Sequence, residues 1–598
     1  MMPIRNSTQF SRRAFLSRSA TAAAATSTSL LWSPAAQSQL LMPKPSTPLE
    51  EKLDAYIAAY MPAMNAPGMT LGLTDAGKTL RTAGYGFANV DQHLPVNPSH
   101  LFQIGSITKS FVALVLLQLR DEGKLDLHQP ILAYLPELPI SEGFGPIAVH
   151  HLLNHTSGLP DNDGVFSSDP SARLVQGFKP GDHFHYCNAG FDILGLLAVK
   201  LDGRSRSWRQ CVQTRILDPL EMHETTGVIG TFSRDRVAAS YQPYWDDQVY
   251  PRQGKLAPAP NLVMDTTDGC IASTPGDMAG YLRMLLNRGQ GPKGRIVSEE
   301  SFALFSTPFI KADDFSPTSS YGYGIAVDSL NGHKILRHTG GMVSFASSIH
   351  VDLDGGVAAF ASINAMQGYR PIAVTEYAVR LLRAQHEGQS LPKPAPIVDP
   401  QVIENAADYA GTFTSADGRK RVFLEQDKHL YLENPDMPEG KALPPIPLQY
   451  AGGDGFLCIY SGPESKYSTY HFRFGRESTK PAADKEKTAP PVIDVFYGPD
   501  WYVNARYSGP KSFAAPEDYA AFAGHYRSNS PWGGDARVFV LKSQLSLDGA
   551  TLHRIGARLF RIGEEDWSPE TAEFLQIFEG KFMILRVGGL DFSRIEVD

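Results

Sequence analysis

The chain has 598 residues with 42% hydrophobic, 20% charged and 10% aromatic side chains, a globular composition that excludes a largely disordered, collagenous or coiled-coil molecule and predicts about three to four domains. Lys and Arg total 55 against 63 Asp and Glu, a net charge of −8, so no global basic field exists to collect nucleic acid or anionic lipid. Four cysteines, Cys187, Cys211, Cys270 and Cys458, stand far apart without a CxxC pair, which indicates neither a disulfide framework nor a thiolate zinc site.

Residues 1–38 read as an export signal. Ser11-Arg12-Arg13-Ala14-Phe15-Leu16 precedes a mild apolar stretch, Ala20 to Leu31, that ends in Ser33-Pro34-Ala35-Ala36. This is the pattern of a twin-arginine signal and predicts a periplasmic or secreted protein. The stretch is too short and too rich in Ser and Thr to span a bilayer about 30 Å thick, so no membrane anchor is expected.

Residues 45–390 mix strand-like and helical runs, the latter including Ser110 to Glu122 and Gly276 to Leu286, as an α/β domain does. Within it, Gly72-Leu73-Thr74-Asp75-Ala76-Gly77-Lys78-Thr79 fits the phosphate-loop pattern GxxxxGK[ST]. A phosphate loop needs a helix directly after its Lys-Thr to hold the phosphates. Leu80-Arg81-Thr82-Ala83-Gly84-Tyr85-Gly86 is glycine-broken and strand-like instead, so the segment reads as a β-hairpin.

Ile104-Gly105-Ser106-Ile107-Thr108-Lys109 leads into the apolar run Val112 to Leu117. A helix starting near Ser106 sets Lys109 at i+3 on the same face, where the amine touches the hydroxyl. A serine hydroxyl is a weak nucleophile until a base takes its proton, and a helix N-terminus adds partial positive charge where an oxyanion would form. For the lysine to be that base, its pKa must fall from 10.4 to near neutrality, a change worth roughly 4 kcal/mol of burial and charge effects. Ser390 and Lys393 repeat the SxxK spacing in a proline-rich segment where no helix forms.

Phe184-His185-Tyr186-Cys187-Asn188 carries a YxN on a loop before the helical run Asp192 to Lys200. A phenol beside Lys109 can relay a proton, and Asn188 can hold a substrate amide. Arg337-His338-Thr339-Gly340-Gly341 reads as a strand edge whose glycines let a substrate backbone approach. His151 and His155, four apart on an expected helix, and His183 and His185, on an expected strand face, have metal-ligand spacing, but no HExxH pattern accompanies them. They read as structural histidines, with no metal and no cofactor expected.

After Leu391-Pro392-Lys393-Pro394-Ala395-Pro396, a stiff linker, helical periodicity fades. Residues 400–507 and 514–598 show short alternating strands such as Arg421 to Leu424, His429 to Leu432 and Tyr467 to Phe474, the pattern of small antiparallel barrels. Asp408-Tyr409-Ala410-Gly411-Thr412-Phe413 is echoed by Ala521-Phe522-Ala523-Gly524-His525-Tyr526, a weak repeat that opens each segment. The polar run Arg476 to Pro491 reads as a hairpin loop.

The ordered SxxK, YxN and HxG resemble the serine β-lactamase and D-alanyl-D-alanine peptidase superfamily, in its class C-like branch. Gly123-Lys124-Leu125-Asp126-Leu127, Tyr134-Leu135-Pro136-Glu137, His151 through Pro160 and Ala272 through Met278 are similar to that superfamily's scaffold segments and stand in its order. The resemblance covers about residues 50 to 385. It implies an antiparallel sheet flanked by helices plus a helical region, Ser106 as acylated nucleophile, Lys109 and Tyr186 as proton-transfer pair, and Asn188, His338, Gly340 and Gly341 as substrate-binding positions. The implied oxyanion hole is the amides of Ser106 and Gly341.

Most β-lactamases of the superfamily have lysine where this chain has His338. A histidine with pKa near 6.5 is charged in only about a quarter of molecules at pH 7, so attraction for a substrate carboxylate is weaker. Histidine there, and two C-terminal barrels, resemble the D-stereospecific aminopeptidases. The expected activity is hydrolysis of amide bonds in small or linear peptides with D- or non-standard residues. The alternatives are an esterase or weak β-lactamase of the same fold, and a penicillin-sensing or peptidoglycan-binding protein without turnover. The expected partner is a small-molecule or peptide substrate, not nucleic acid; the oligomeric state is left open, a homodimer being compatible.

Overall fold

The computed structural model describes residues 42–596 apart from 162–163, 168–170, 232, 244–255, 261, 263–264, 366–369, 398–401, 434–443, 459–469 and 478–488. The export signal expected at 1–38 and most of the loop expected between Arg476 and Pro491 lie outside the described residues.

Strands β1 (Gly68–Asp75) and β2 (Thr79–Asn89) form an antiparallel hairpin. Its turn is closed by the Asp75 carboxylate, which accepts from the Gly77 and Lys78 amides at 2.7 Å each. The GxxxxGK[ST] match is therefore a hairpin, and a strand rather than a helix follows Lys78. With β3 (Leu94–Pro95), β4 (Ile310–Lys311), β5 (Ser320–Tyr321), β6 (Ala326–Leu330), β7 (His333–Gly341), β8 (Ala346–Asp352) and β9 (Val357–Ile363), the hairpin builds a nine-stranded sheet in the order β4-β5-β6-β7-β8-β9-β1-β2-β3. Its register sets Gly341 opposite Ala346, Ala346 opposite Ile363 and Ile363 opposite Met69.

The longer helices are α1 (Pro48–Ala63), α2 (Thr108–Asp121), α3 (Asn188–Asp202), α4 (Pro275–Leu286) and α5 (Ile372–His386). Because side chains alternate along a strand, β9 serves two cores. Ala359, Ala361 and Ile363 join Leu53 and Ile57 of α1 and Leu381 of α5, while Ala358 and Phe360 join Phe111 and Leu114 of α2 and Leu285 of α4 on the other face. Eleven of the 14 residues of α2 are buried, so this is a core helix, apolar nearly all round. Each fully buried Leu, Val or Phe contributes roughly 1.5–3 kcal/mol, which offsets the cost of burying Lys109 in its first turn.

Beyond the linker lie two closed eight-stranded antiparallel barrels, running from Gly411 to Val503 and from Gly524 to Ile595. The sequence repeat has a structural basis. A short helical turn, Ala406–Asp408 or Tyr519–Phe522, precedes each first strand. The matching pairs Tyr409 with Phe522, and Phe413 with Tyr526, are all buried.

Candidate active site

Gly105–Ile107 forms a 3-10 turn that runs directly into α2. The sequence predicts one helix from Ser106, whereas Ser106 sits in this tighter turn, where residues three apart eclipse. Ser106 Oγ and Lys109 Nζ are accordingly 3.0 Å apart. The lysine is fully buried, and its amine also donates to Asn188 Oδ1 at 2.6 Å and to the Asp268 carbonyl at 2.8 Å. Both of these partners only accept. They fix two N–H bonds and leave the third tetrahedral position pointing at Ser106, which an N–H or, after deprotonation, a lone pair can occupy.

Asn188 is the first residue of α3, four residues ahead of the helical run expected from Asp192. Tyr186 lies on the preceding loop, half-buried, and its hydroxyl interacts with both Ser106 and Lys109. The Lys109 amine also stands 5.0 Å from the Tyr186 ring centroid, and the tilted His155 ring packs against the phenol with centroids 4.2 Å apart. The structure thus brings Ser106 and Lys109 of one segment together with Tyr186 and Asn188 of another.

Burial pushes the Tyr186 phenol up, against the pull of Lys109 and of its contacts with Ser106 and Lys109. Burial draws the Lys109 ammonium down, but the Tyr186 oxygen, Asp268 and Asp161 outweigh it and hold the amine above its ordinary value. This differs from the depressed lysine expected from sequence: the Tyr186 oxygen and the Asp268 and Asp161 carboxylates compensate the desolvation.

His338 lies in β7 and is buried. Its Nδ1 donates to the Thr339 carbonyl at 2.6 Å, so Nε2 accepts from the Tyr321 hydroxyl at 2.8 Å. Both nitrogens are engaged by the protein, and burial pushes the pKa down to about 3. The quarter charge expected at pH 7 is not present. Gly340 has a steric reason different from the expected substrate approach: a Cβ there would lie 1.7 Å from the Ile104 carbonyl oxygen. Strand β7 therefore presses on the Gly105–Ile107 turn and sets Gly341 beside Gly105.

The histidine pairs do not form metal-ligand geometry. The short helix Val149–Leu153 ends before His155, which has a left-handed φ of 58° and accepts from the Cys187 amide. His183 and His185 lie on a loop rather than a strand; the first stacks on Trp567 and the second bonds Glu570. Among the described residues, no group of three or more His, Cys, Asp or Glu is placed to hold a metal.

Sequence reasoning missed Asp161, Arg370 and the approach of the second barrel. Asp161 Oδ1 accepts from the Asn188 amide at 2.9 Å; it directly follows the quoted Leu159-Pro160 run, which was the available signal. Arg370, just before α5, stands within electrostatic range of Tyr186 and His338. Its buried Nε makes no hydrogen bond among the described residues, and no motif marks it. Trp567 of the second barrel stacks on His183 at 4.4 Å, and Glu570 Oε1 accepts from His185 Nε2 and from the Asp161 amide at 2.8 Å each. At Gly177 a Cβ would lie 2.4 Å from the Trp567 carbonyl oxygen, so only glycine permits this docking. A cleft of about 700 Å³ runs along the same junction, lined by Phe144, Phe166, Val175, Ile555 and Arg561 among others.

The family described as Beta-lactamase matches residues 53–384, more than half of the chain. The chain belongs to the beta-lactamase family. Its beta-lactamase domain is similar to protein flp of Staphylococcus aureus strain MW2, 25% identical over 331 residues that cover 53% of this chain and 63% of that protein. It is also similar to a D-aminopeptidase of Gluconobacter oxydans, 24% identical over 317 residues that cover 50% of this chain and 56% of that enzyme. The chain thus spans less than two thirds of the length of either relative. Among solved structures, the octameric penicillin-binding protein homologue from Pyrococcus abyssi superposes with a TM-score of 0.52 and 25% identity, over 76% of this chain and 99% of that one. No helix among the described residues is long and apolar enough to cross a membrane.

Proposed function

We propose that this chain is a serine hydrolase that cleaves amide bonds of small or linear peptides, with D- or non-standard residues beside the scissile bond, through an acyl-enzyme on Ser106. The observation that carries the reading is the 3.0 Å contact between Lys109 Nζ and Ser106 Oγ, with Tyr186 interacting with both. Likeness to a D-aminopeptidase supports the substrate class.

In this mechanism the Lys109–Tyr186 pair first gives up one proton. It then accepts the Ser106 proton as Oγ bonds the carbonyl carbon and the carbonyl π electrons move onto oxygen. The amides of Ser106 and Gly341 receive that oxyanion; a donor of this kind is worth about 3 kcal/mol. Collapse breaks the C–N bond, and the pair returns the proton to the leaving nitrogen. Water repeats the sequence on the ester. His338, neutral and internally bonded, shapes β7 and supplies no charge to substrate. Arg370 is a nearby cation whose Nε has no hydrogen bond among the described residues.

The test compares kcat/KM on D-amino-acid amides, p-nitrophenyl esters and a chromogenic cephalosporin, with Ser106→Ala as control. D-amino-acid amides are expected to turn over and the cephalosporin to react slowest. Equal turnover by Ser106→Ala, or preference for the cephalosporin, would overturn the reading. The leader Ser11 to Leu16 supports export to the periplasm or beyond. Replacing Arg12 and Arg13 with lysine should retain the protein in the cytoplasm.

A further inference from the structure

We infer that Glu570 of the second barrel is a positioning residue for the Lys109–Ser106 pair, so that the nucleophile is fully set only when the barrel is docked. The inference rests on the serine-hydrolase reading above and goes beyond it, since it gives a barrel residue a part in the reaction.

A continuous chain of hydrogen bonds carries it. Glu570 Oε1 accepts from the Asp161 amide and from His185 Nε2, each at 2.8 Å. Asp161 in turn holds the start of α3 at two points: its Oδ1 accepts from the Asn188 amide and its carbonyl from the Ala189 amide, both at 2.9 Å. Asn188 Oδ1 then takes one proton of Lys109 at 2.6 Å. Glu570 therefore fixes the segments on both sides of the phenol, Asp161 on one and His185, the residue before Tyr186, on the other. The carboxylate is three-quarters buried, with 25% of its side chain exposed. Its loop is clamped by Trp567 on His183 and by the close approach to Gly177. Such a chain has few soft links, and misplacement of a catalytic group by about 1 Å can cost a hundredfold in rate.

The test measures the pre-steady-state burst of p-nitrophenol from p-nitrophenyl acetate, a probe small enough to need only the nucleophile, together with steady-state kcat and KM on a D-amino-acid amide. The full chain is used throughout. Glu570→Ala should slow the burst and lower kcat about tenfold to a hundredfold, with KM changed less than threefold. Glu570→Gln keeps an acceptor oxygen for both donors and should restore both rates to within about threefold. A wild-type burst that Glu570→Ala leaves equally fast overturns the inference while the serine reading stands. Loss of rate in both variants, or a rise in KM with kcat unchanged, also overturns it, because the carboxylate charge would then act on substrate directly. Absence of a burst in the wild type sinks the serine reading itself.

Discussion

His338 Nε2 accepts from the Tyr321 hydroxyl at 2.8 Å, while its Nδ1 proton is spent on the Thr339 carbonyl. This imidazole of strand β7 is thus a neutral, fully bonded part of the wall. Charge at the site resides in Lys109, whose amine is held above its ordinary value.

The first consequence is a pH profile. In the proposed mechanism the proton that must leave before Ser106 can be deprotonated belongs to the Lys109–Tyr186 pair, and both members lie above their ordinary values. The active, deprotonated form therefore grows as pH rises, so kcat/KM on a D-amino-acid amide should climb steadily from pH 7 to pH 9. A profile that falls over this range would contradict the assignment. Asn188→Asp, which adds an anion beside the ammonium and raises its pKa further, should move the rise to higher pH.

Acid should destabilise the fold. Burial pushes His338 and His350 down to about 3 and His155 well below its ordinary value. Their stabilising contribution is complete above the unfolded value of 6.5 and is lost as pH falls toward the folded values. Each such group adds up to roughly 1.4 kcal/mol per pH unit in that window. Asp161, Asp277 and Asp548, pushed up by burial, and Asp192, pushed up to about 6 by burial and by Asp268, act in the opposite sense, but burial also draws His100, His150, His151 and His471 down, so the depressed histidines outnumber the raised carboxylates. Thermal melts should show Tm dropping steeply between pH 6.5 and pH 5, and a flat Tm would refute this assignment.

Removing the Asn188 carbonyl leaves a buried Lys109 N–H without its acceptor, a loss of about 1–3 kcal/mol. Asn188→Ala should therefore lower kcat roughly tenfold or more, whereas Lys78→Ala, on the β1–β2 hairpin turn, should leave kcat/KM within a factor of two. Steady-state kinetics on one amide substrate checks both.

At Gly340 a methyl group would meet the Ile104 carbonyl at 1.7 Å, and backbone cannot yield as a flexible side chain does. Gly340→Ala should lower stability by about 1–3 kcal/mol and lower kcat together with it, read by melting and by kinetics on the folded fraction. Unchanged values for both would show that β7 does not press on the Gly105–Ile107 turn.

The local signals were read correctly where chemistry and spacing are contiguous. SxxK encodes its own geometry because a helical turn fixes i to i+3, and the two barrels follow from period-two alternation and the repeat at Tyr409 and Phe522. The helix starting near Ser110 begins at Thr108, and that near Gly276 at Pro275. What escaped is long-range. Glu570 lies 409 residues from Asp161, and no local pattern encodes their meeting. The protonation of Lys109 depends on Asp268, Tyr186 and Asp161 arriving from three loops, so a motif that gives residue types cannot give its direction. The bond between Tyr321 and His338 is long-range in the same way, because nothing in the local sequence of β7 reveals that Tyr321 stands opposite it.

The most direct measurement is intact-protein mass spectrometry after rapid mixing with a slowly deacylated ester or amide, followed by peptide mapping. A covalent acyl group on the peptide containing Ser106, absent from Ser106→Ala and formed much more slowly in Lys109→Ala, is the predicted result. Substrate turnover with the acyl group on another residue, or with no adduct at any mixing time, would contradict the account.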